Sequence, residues 1–278
     1  MQIIHLSDTH IGHPHSLERC ERLLDALEAR FGHAPRPWLI HTGDLTDRAD
    51  ATLRRQARRW LGQLRECGYP LRLCPGNHDV GGFWRVDVDA AAAFADELAD
   101  HLFAGGTPQF PVLTECEDTV LLGLDSNAGE LSWWHGWWAE GQLGEPQLQR
   151  LRALLTRLDG DPRRVLVYLH HHPFIYGYSV APDVGDGHLL GHWLSRRTRA
   201  FRRLKDAYSL LEALRDRADM LLFGHHHHGL DCSGDSRRYG IPLALDAGSS
   251  TAVGGAGPLR YRVIDTVSRS AEAFRVPL

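Results

Sequence analysis

The sequence predicts an α/β fold in which much of the β-sheet is buried on both faces. Short apolar runs recur along the chain, and each ends in polar or glycine-rich sequence. Amphipathic helical patterns separate several of these runs, as is typical of alternating strands and helices. The 278 residues, 43% of them hydrophobic, suffice for one buried core. We therefore expect a single domain over residues 1–278, with insertions.

Seven apolar runs are predicted to be buried strands, because each is short and bounded by polar or turn-forming residues. They are Ile3–Leu6, Trp38–His41, Leu71–Cys74, Val120–Leu124, Val165–Leu169, Met220–Phe223 and Pro242–Leu245. The end of the chain has a different pattern. Tyr261–Val267 and Ala271–Val276 are predicted to form a closing antiparallel hairpin, with its turn at Ser268–Ser270.

Four helical patterns lie between these strands. Ser16 is predicted to cap the first helix, which stops at Gly32, and the second helix stops at Gly68. The third starts at Pro146, and the fourth carries Leu214 among its apolar residues. Each pattern places its apolar residues on one face, which predicts packing of the helix against a sheet.

Composition argues against several classes of function. A net charge of −4 and a pI of about 6.5 disfavour nucleic acid as a partner. The five cysteines are scattered singly without a CxxC pair, so neither a disulfide framework nor a cysteine metal site is predicted, and a reducing compartment fits best. We recognise no leader and no apolar stretch as long as a membrane span, and therefore expect a soluble, cytoplasmic protein.

Polar motifs follow five of the predicted strands, where an α/β protein places its functional loops. They are Asp8-Thr9-His10, Gly43-Asp44, Gly76-Asn77-His78-Asp79, His170-His171-His172-Pro173 and Gly224-His225-His226-His227-His228. Carboxylate, imidazole and amide oxygen are ligands that Zn, Fe and Mn accept. One such motif alone is typical of ordinary polar residues, whereas all five in order predict a metal site. The glycines before Asp44, Asn77 and His225 are expected to let the backbone turn tightly into that site.

The ordered motifs D-x-H, G-D, G-N-H-D, H-x-P and G-H-x-H resemble those of the calcineurin-like metallophosphoesterases, from Ile3 to about Ser250. Within that family the sequence is most similar to bacterial class III cyclic-nucleotide phosphodiesterases, in the segments HLSDTHIG, HTGDLTD, GLDS and AGSST. The resemblance implies two packed mixed β-sheets flanked by helices, which is a four-layer sandwich. It also implies a phosphoester hydrolase with two transition-metal ions per chain, drawn from Mn, Fe, Zn and Co.

The resemblance further implies a ligand set in which Asp44 bridges the two ions. One ion is assigned to Asp8, His10, Asp44 and His227, and the other to Asp44, Asn77, His171 and His225. His171 is chosen because the family motif is His-x-Pro, which Pro173 fixes. The neighbouring histidines are interpreted as outer residues of the site, and they are His170, His172, His226 and His228. His78 is cast as the catalytic group that stabilises or protonates the leaving oxygen, with Asp79 orienting it.

Two segments have open alternatives. Trp133–Trp138 contains four tryptophans and is either an irregular surface loop or an aromatic wall or subunit contact near the site. The basic segment Arg196–Lys205 is either a solvated helix face or a positive lip for an anionic substrate. It belongs to an excursion at about residues 173–219 that joins two ligand loops, so we expect the excursion near the active-site mouth. Our hypothesis is that both segments set substrate choice.

The leading interpretation of function is the hydrolysis of phosphodiesters, cyclic nucleotides among them, by water or hydroxide held between the ions. A phosphomonoesterase acting on a small organic phosphate needs the same site and stays open. A DNA repair nuclease of the same family is disfavoured by the net charge and by the lack of a long C-terminal extension. A non-enzymatic scaffold is disfavoured because every expected ligand is present. The expected partner is a small phosphoester, and a homodimer is also considered.

Overall fold

The fold is taken from a computed structural model of the chain. The structure describes residues 1–33, 35–82, 85–103, 109–129, 140–174, 204–253 and 257–278. Trp133–Trp138 lies outside the described residues, and so do residues 196–203 of the basic segment and most of the excursion. The hypotheses on those segments stay predictions.

Two five-stranded mixed sheets form the framework, with strands numbered in chain order. In spatial order the first sheet contains β12 (Ser270–Val276), β11 (Leu259–Asp265), β1 (Gln2–Leu6), β2 (Trp38–His41) and β3 (Leu71–Leu73). The second contains β10 (Leu243–Asp246), β9 (Met220–Phe223), β8 (Arg164–Tyr168), β7 (Thr119–Gly123) and β6 (Val112–Glu115). A separate ribbon pairs β4 (Gly81–Gly82) with β5 (Arg85–Val86).

Strand direction decides where the loops converge. β1, β2 and β3 are parallel to one another, and so are β7, β8, β9 and β10. β11 pairs antiparallel with both β1 and β12, and β6 pairs antiparallel with β7. Because the carboxyl ends of parallel strands lie at one edge of a sheet, each sheet gathers its following loops at one edge.

The described helices are α1 (Ser16–Phe31), α2 (Ala51–Glu66), α3 (Val88–Glu97), α4 (Ala99–Leu102), α5 (Glu145–Arg157), α6 (Ala207–Leu214) and α7 (Ser233–Ser236), followed by a short 3₁₀ helix at Arg237–Tyr239. The predicted cap of α1 is wrong. Ser16 is already helical, and its hydroxyl accepts a hydrogen bond from the Gly12 amide at 3.1 Å. Asp50 caps α2, because its carboxylate accepts from the amides of Thr52 and Leu53.

The core is arranged as helices, sheet, sheet and helices. Apolar side chains of both sheets meet between them, Ile3 and Ile40 from the first and Leu166 and Leu222 from the second. Helices α1 and α2 pack on the outer face of the first sheet, and α5 and α6 pack on the outer face of the second. Each fully buried aliphatic side chain contributes about 1.5–3 kcal/mol, so these three contact layers hold the sheets in place. The four-layer sandwich is confirmed.

Alternate residues of β8 face opposite sides of the second sheet. Leu166 and Tyr168 point between the two sheets, whereas Val165, Val167 and the following Leu169 point toward α5 and α6. Continued alternation directs the side chain of residue 170 between the sheets, toward the ligand loops of the first sheet.

All seven predicted strands and the closing hairpin are present, with ends displaced by only one or two residues. The patterns predicted neither β6 nor α3. Alanine fills much of α3, which leaves its apolar periodicity weak. The five cysteines are free thiols, as expected. Within the described ranges, no helix is both long enough and apolar enough to cross a bilayer.

Candidate metal centre

The loops after β1, β2 and β3 meet the loops after β8 and β9. The amide of Asp8 donates to the carbonyl of Gly43 at 3.0 Å, and the amide of His225 donates to the Asp8 carboxylate at 3.0 Å. The ring nitrogen Nδ1 of His170 lies 2.8 Å from the carbonyl oxygen of Thr42. These bonds join the two sheets at one edge and bring the five predicted motifs into one place.

Four side chains form what we call the first cluster: Asp8, His10, Asp44 and His227. Nε2 of His10 lies 3.1 Å from Nε2 of His227 and 3.6 Å from Oδ2 of Asp44. Nε2 of His227 lies 3.2 Å from Oδ1 of Asp8. Donor atoms at about 2.0–2.2 Å from a tetrahedral ion are separated by about 3.4 Å, so these separations suit one ion.

The second cluster consists of Asp44, Asn77, His170 and His225. Nε2 of His170 lies 3.3 Å from Oδ2 of Asp44, 3.1 Å from Oδ1 of Asn77 and 3.1 Å from Nδ1 of His225. All four side chains are buried. The same atom, Oδ2 of Asp44, belongs to both clusters. Its other oxygen, Oδ1, accepts the amide of His78 at 2.9 Å, which fixes the orientation of the carboxylate.

The donors fit the cations that the motifs imply. A carbonyl oxygen can only accept, so Nδ1 of His170 carries the hydrogen toward Thr42 and Nε2 faces the cluster. Burial alone would lower the pKa of His170, but the charge of Asp44 raises it to about 9. The negative charge that favours a proton there would also favour a metal cation. Oxygen and imidazole nitrogen are together typical of Zn, Fe and Mn sites.

The contacts to Asp44 and Asn77 are made by His170, whereas the His-x-Pro motif favoured His171. His171 lies beside the second cluster, grouped with His170 and His225, and Oγ of Ser126 lies 2.7 Å from its Nδ1. The alternation along β8 could have indicated His170, because that residue continues the side of the sheet that faces the first sheet. Each of the other predicted ligands lies in one of the two clusters.

Backbone strain is concentrated at the candidate ligands. Positive φ angles occur at Asp8 (51°), His10 (45°), Asp44 (51°), His225 (76°) and His227 (60°). Each such non-glycine residue costs of order 1–3 kcal/mol, and such strain is typical of functional sites. The surrounding hydrogen bonds therefore have to hold these loops in a conformation that the residues do not prefer.

All three predicted glycines are required by close approach. A Cβ atom at Gly76 would overlap the backbone nitrogen of Asp44, and one at Gly224 would overlap Oγ of Ser7. Gly224 also lies directly against the Asp8 carboxylate. The glycines thus let the loops of the two sheets pack against each other around the carboxylates.

His78 is held by a residue other than the predicted Asp79. Nδ1 of His78 lies 2.7 Å from the carbonyl oxygen of Asp47, so Nδ1 carries the hydrogen and Nε2 is left to gain or lose a proton. The Asp79 carboxylate instead accepts the amides of Leu45, Thr46 and Gly76. Asp79 therefore joins the loops after β2 and β3, and the orienting role predicted for it is not supported by these contacts.

Asp47 was missed by the motif analysis of the sequence. Its Oδ1 lies 3.3 Å from Nδ1 of His10, on the side of the ring opposite the first cluster, and His10 and His78 lie edge to face at 4.7 Å between ring centroids. The His10 ring beside it lowers the pKa of Asp47. The spacing Gly43-Asp44-x-x-Asp47 was visible in the sequence and could have drawn attention to it.

Charge is distributed unequally among the candidate ligands. Burial would raise the pKa of Asp8, but the charge and hydrogen bond of His227 lower it. In the same pair, burial would lower the pKa of His227, and Asp8 raises it. Burial, reinforced by the neighbouring histidines, lowers the pKa of His225 well below its usual value. His225 is therefore a neutral imidazole, which is the form that binds a metal.

Comparisons with known proteins show the family and the fold. The family model described as calcineurin-like phosphoesterase matches residues 1–229. A dimetal phosphatase from Danio rerio superposes with a TM-score of 0.60 at 14% identity, over 99% of this chain and 98% of that one. A putative 5′-nucleotidase from Staphylococcus aureus superposes with a TM-score of 0.51 at 12% identity, over 99% of this chain and 53% of that one. A search of curated proteins found no match. At these identities the superpositions show a shared fold.

Proposed function

Since the chain belongs to the calcineurin-like phosphoesterase family, we propose that it hydrolyses phosphodiesters at a centre of two metal ions. The first cluster would hold one ion and the second cluster would hold the other. The observation that carries the proposal is that Oδ2 of Asp44 lies 3.6 Å from Nε2 of His10 and 3.3 Å from Nε2 of His170. A carboxylate that belongs to both ligand sets would hold two ions close together, as two-metal catalysis requires.

Bound ions would supply Lewis-acid charge to a phosphoryl group and make water a nucleophile at neutral pH. The residues of this chain do the rest. Asp44 and Asp8 hold negative charge in the buried centre, and the neutral ring of His225 adds a donor without adding charge. The Asp44 carboxylate is held in one orientation because its Oδ1 accepts the His78 amide, and this fixes the position of the two ligand sets relative to each other.

His78 is the proposed acid for the leaving group. Its Nδ1–H donates to the carbonyl of Asp47, so a proton on Nε2 can pass to the ester oxygen as the P–O bond breaks. The electron pair of that bond goes to the leaving oxygen, and His78 is left neutral. The Asp47 carbonyl holds the ring in place throughout, and this replaces the role that the motif gave to Asp79.

Phosphodiesters are proposed because of the segments that resemble class III cyclic-nucleotide phosphodiesterases. Phosphomonoesters are the second candidate, because one structural relative is called a dimetal phosphatase and another a putative 5′-nucleotidase. Both reactions use the same centre, so the walls around it decide between them.

A hydrolysis screen tests the proposal. Protein stripped by a chelator is reloaded with Mn, Fe, Zn or Co and offered cyclic nucleotides, linear diesters and monoesters of matched leaving groups. We expect no hydrolysis by the stripped protein and restored hydrolysis of diesters after reloading. A clear preference for monoesters would replace the diester proposal, and no hydrolysis with any metal would overturn the function altogether.

A further inference from the structure

Residues 247–253, the first part of the connection from β10 to β11, lie against the ligand loop that follows β1, and we call them the closing loop. Three consecutive residues of the closing loop carry hydroxyl groups and are almost completely buried: Ser249, Ser250 and Thr251. They lie beyond residue 229, where the match to the family model ends. Buried hydroxyls need partners, and theirs are in the ligand loop.

Each hydroxyl bonds to the backbone of one residue of the ligand loop. The Ser249 hydroxyl donates to the carbonyl of Asp8 at 2.8 Å, the Thr251 hydroxyl donates to the carbonyl of Thr9 at 2.9 Å, and the Ser250 hydroxyl accepts the amide of Ser7 at 3.1 Å. Three successive residues of one loop thus hold three successive residues of the other.

The opposite edge of the ligand loop is held by the loop after β2. The amides of Asp8 and His10 donate to the carbonyls of Gly43 and Asp44, both at 3.0 Å. The closing loop binds the carbonyls of Asp8 and Thr9, and the loop after β2 binds the amides of Asp8 and His10. Since Asp8 and His10 both have positive φ, the loop needs support on both edges to keep this conformation.

The closing loop is itself anchored. Nη1 of Arg19, on α1, donates to the carbonyls of Thr251 and Ala252 at 2.9 and 3.1 Å. The amide of Val253 donates to the Ser249 hydroxyl at 3.0 Å, so that hydroxyl is oriented toward Asp8. The closing loop is therefore a fixed surface against which the ligand loop is held.

We propose that Ser249 and Thr251 are positioning residues of the first cluster, which set the conformation from which Asp8 and His10 bind their ion. This inference rests on the proposed function, because it assigns the first cluster to a metal. Neither residue belongs to either ligand cluster. Outer residues that orient metal ligands typically contribute ~10–100-fold in affinity, and we expect the pair to act within that range.

The experiment compares Ser249→Ala/Thr251→Val with the parent protein. Stripped protein is titrated with Mn²⁺ in a calorimeter. The variants Asp8→Asn and Asn77→Ala are titrated in the same way, so that the step each one weakens can be assigned to the first and the second cluster, respectively. Hydrogen exchange of the backbone at residues 7–10 is followed in the stripped protein. Ser236→Ala is the matched control, because the buried Ser236 hydroxyl donates to the Ile241 carbonyl at 2.8 Å, within the same C-terminal part of the chain.

We expect the double variant to bind Mn²⁺ at the first cluster ~10–100-fold more weakly, with the second step kept. Exchange at residues 7–10 should accelerate, and Ser249→Thr/Thr251→Ser, which keeps both hydroxyls, should restore both readouts. Ser236→Ala should change neither. Unchanged exchange, or equal loss at both steps, would overturn the proposal. If metal binding and hydrogen exchange change as expected in the double variant, but the parent protein hydrolyses no phosphoester, only the proposed function is refuted.

Discussion

The two ligand clusters share Asp44 but differ in charge and in access to solvent. The first cluster has a second carboxylate, Asp8, and its His227 side chain is 33% exposed. The second has no carboxylate of its own, and its remaining ligands, Asn77, His170 and His225, are buried. The shared carboxylate therefore contributes a different fraction of the negative charge to each cluster. It is one of two negative charges in the first cluster and the only one in the second, so we expect the ion of the second cluster to depend on it more.

Asp44→Asn is expected to have the largest effect. The loss of the shared charge should weaken the binding of both ions, and the second cluster should lose more affinity than the first. The loss of affinity should exceed the ~10–100-fold that follows the loss of an outer partner. Elemental analysis and calorimetric titration measure the two losses. Retention of two ions together with full activity would show that Asp44 does not bridge.

His170→Ala tests the make-up of the second cluster. We expect it to remove one ion per chain and leave the first cluster loaded, because His170 contacts both Asp44 and Asn77. His171→Ala is the matched control, a neighbouring imidazole of equal size, and should leave both ions bound. Metal content of the two variants decides between them. The reverse result would restore the ligand set inferred from the His-x-Pro motif.

His78→Ala should lower kcat by ~10²–10⁴ while both clusters keep their ions, because His78 donates a proton and binds no metal in this proposal. The loss should shrink for esters with acidic leaving groups such as nitrophenolate, which need little protonation. Rates for a series of leaving groups, with metal content measured in parallel, test this. A uniform loss across the series would leave His78 an electrostatic role only.

Asp246, on β10, shows how far the charge of the first cluster extends. Burial and then the Asp8 charge raise the pKa of Asp246 to about 7. A carboxyl whose folded pKa lies above its unfolded value of ~3.9 stabilises the fold at low pH, and this stability is lost as the pH rises through about 7. Between pH 5 and pH 8 the loss should be about 2–3 kcal/mol, at ~1.4 kcal/mol per pKa unit.

Asp246→Asn should remove this pH dependence from the stripped protein. The side-chain amide oxygen of the variant can still accept the Gly248 amide, which Asp246 accepts at 2.7 Å. Thermal unfolding at pH 5 and pH 8 should show a smaller decline for the variant than for the parent. Parallel declines in both proteins would mean that Asp246 stays charged, or stays neutral, throughout this range.

Much of the fold was predictable because its signals are local. Each buried strand is a short apolar run, and each long helix shows apolar periodicity, so the type and order of those elements follow from the sequence. The elements that escaped prediction lack such signals. In α3 alanine replaces the larger apolar residues, and β6 has only two apolar residues, Val112 and Leu113, and lies at a sheet edge.

The candidate site was predictable in its residue types and less so in its assignments. Choosing between His170 and His171 needs the side of the sheet on which each lies, which the motif does not encode. The roles of Asp47 and Asp79 depend on which backbone groups lie nearby, and these come from other loops. The segment AGSST was noticed as part of the resemblance, yet its contacts with the ligand loop appear only when β11 lies beside β1.

The pairing of β1 with β11 has a consequence for biosynthesis. Gln2 lies opposite Asp265, so β1 cannot complete its pairing in the first sheet until β11 has also left the ribosome. At ~5–20 residues per second this interval is roughly tens of seconds. During that time Asp8 and His10 are already exposed but not yet held by the closing loop. We therefore expect stable metal uptake to be a late event, which follows the synthesis of the C-terminal hairpin.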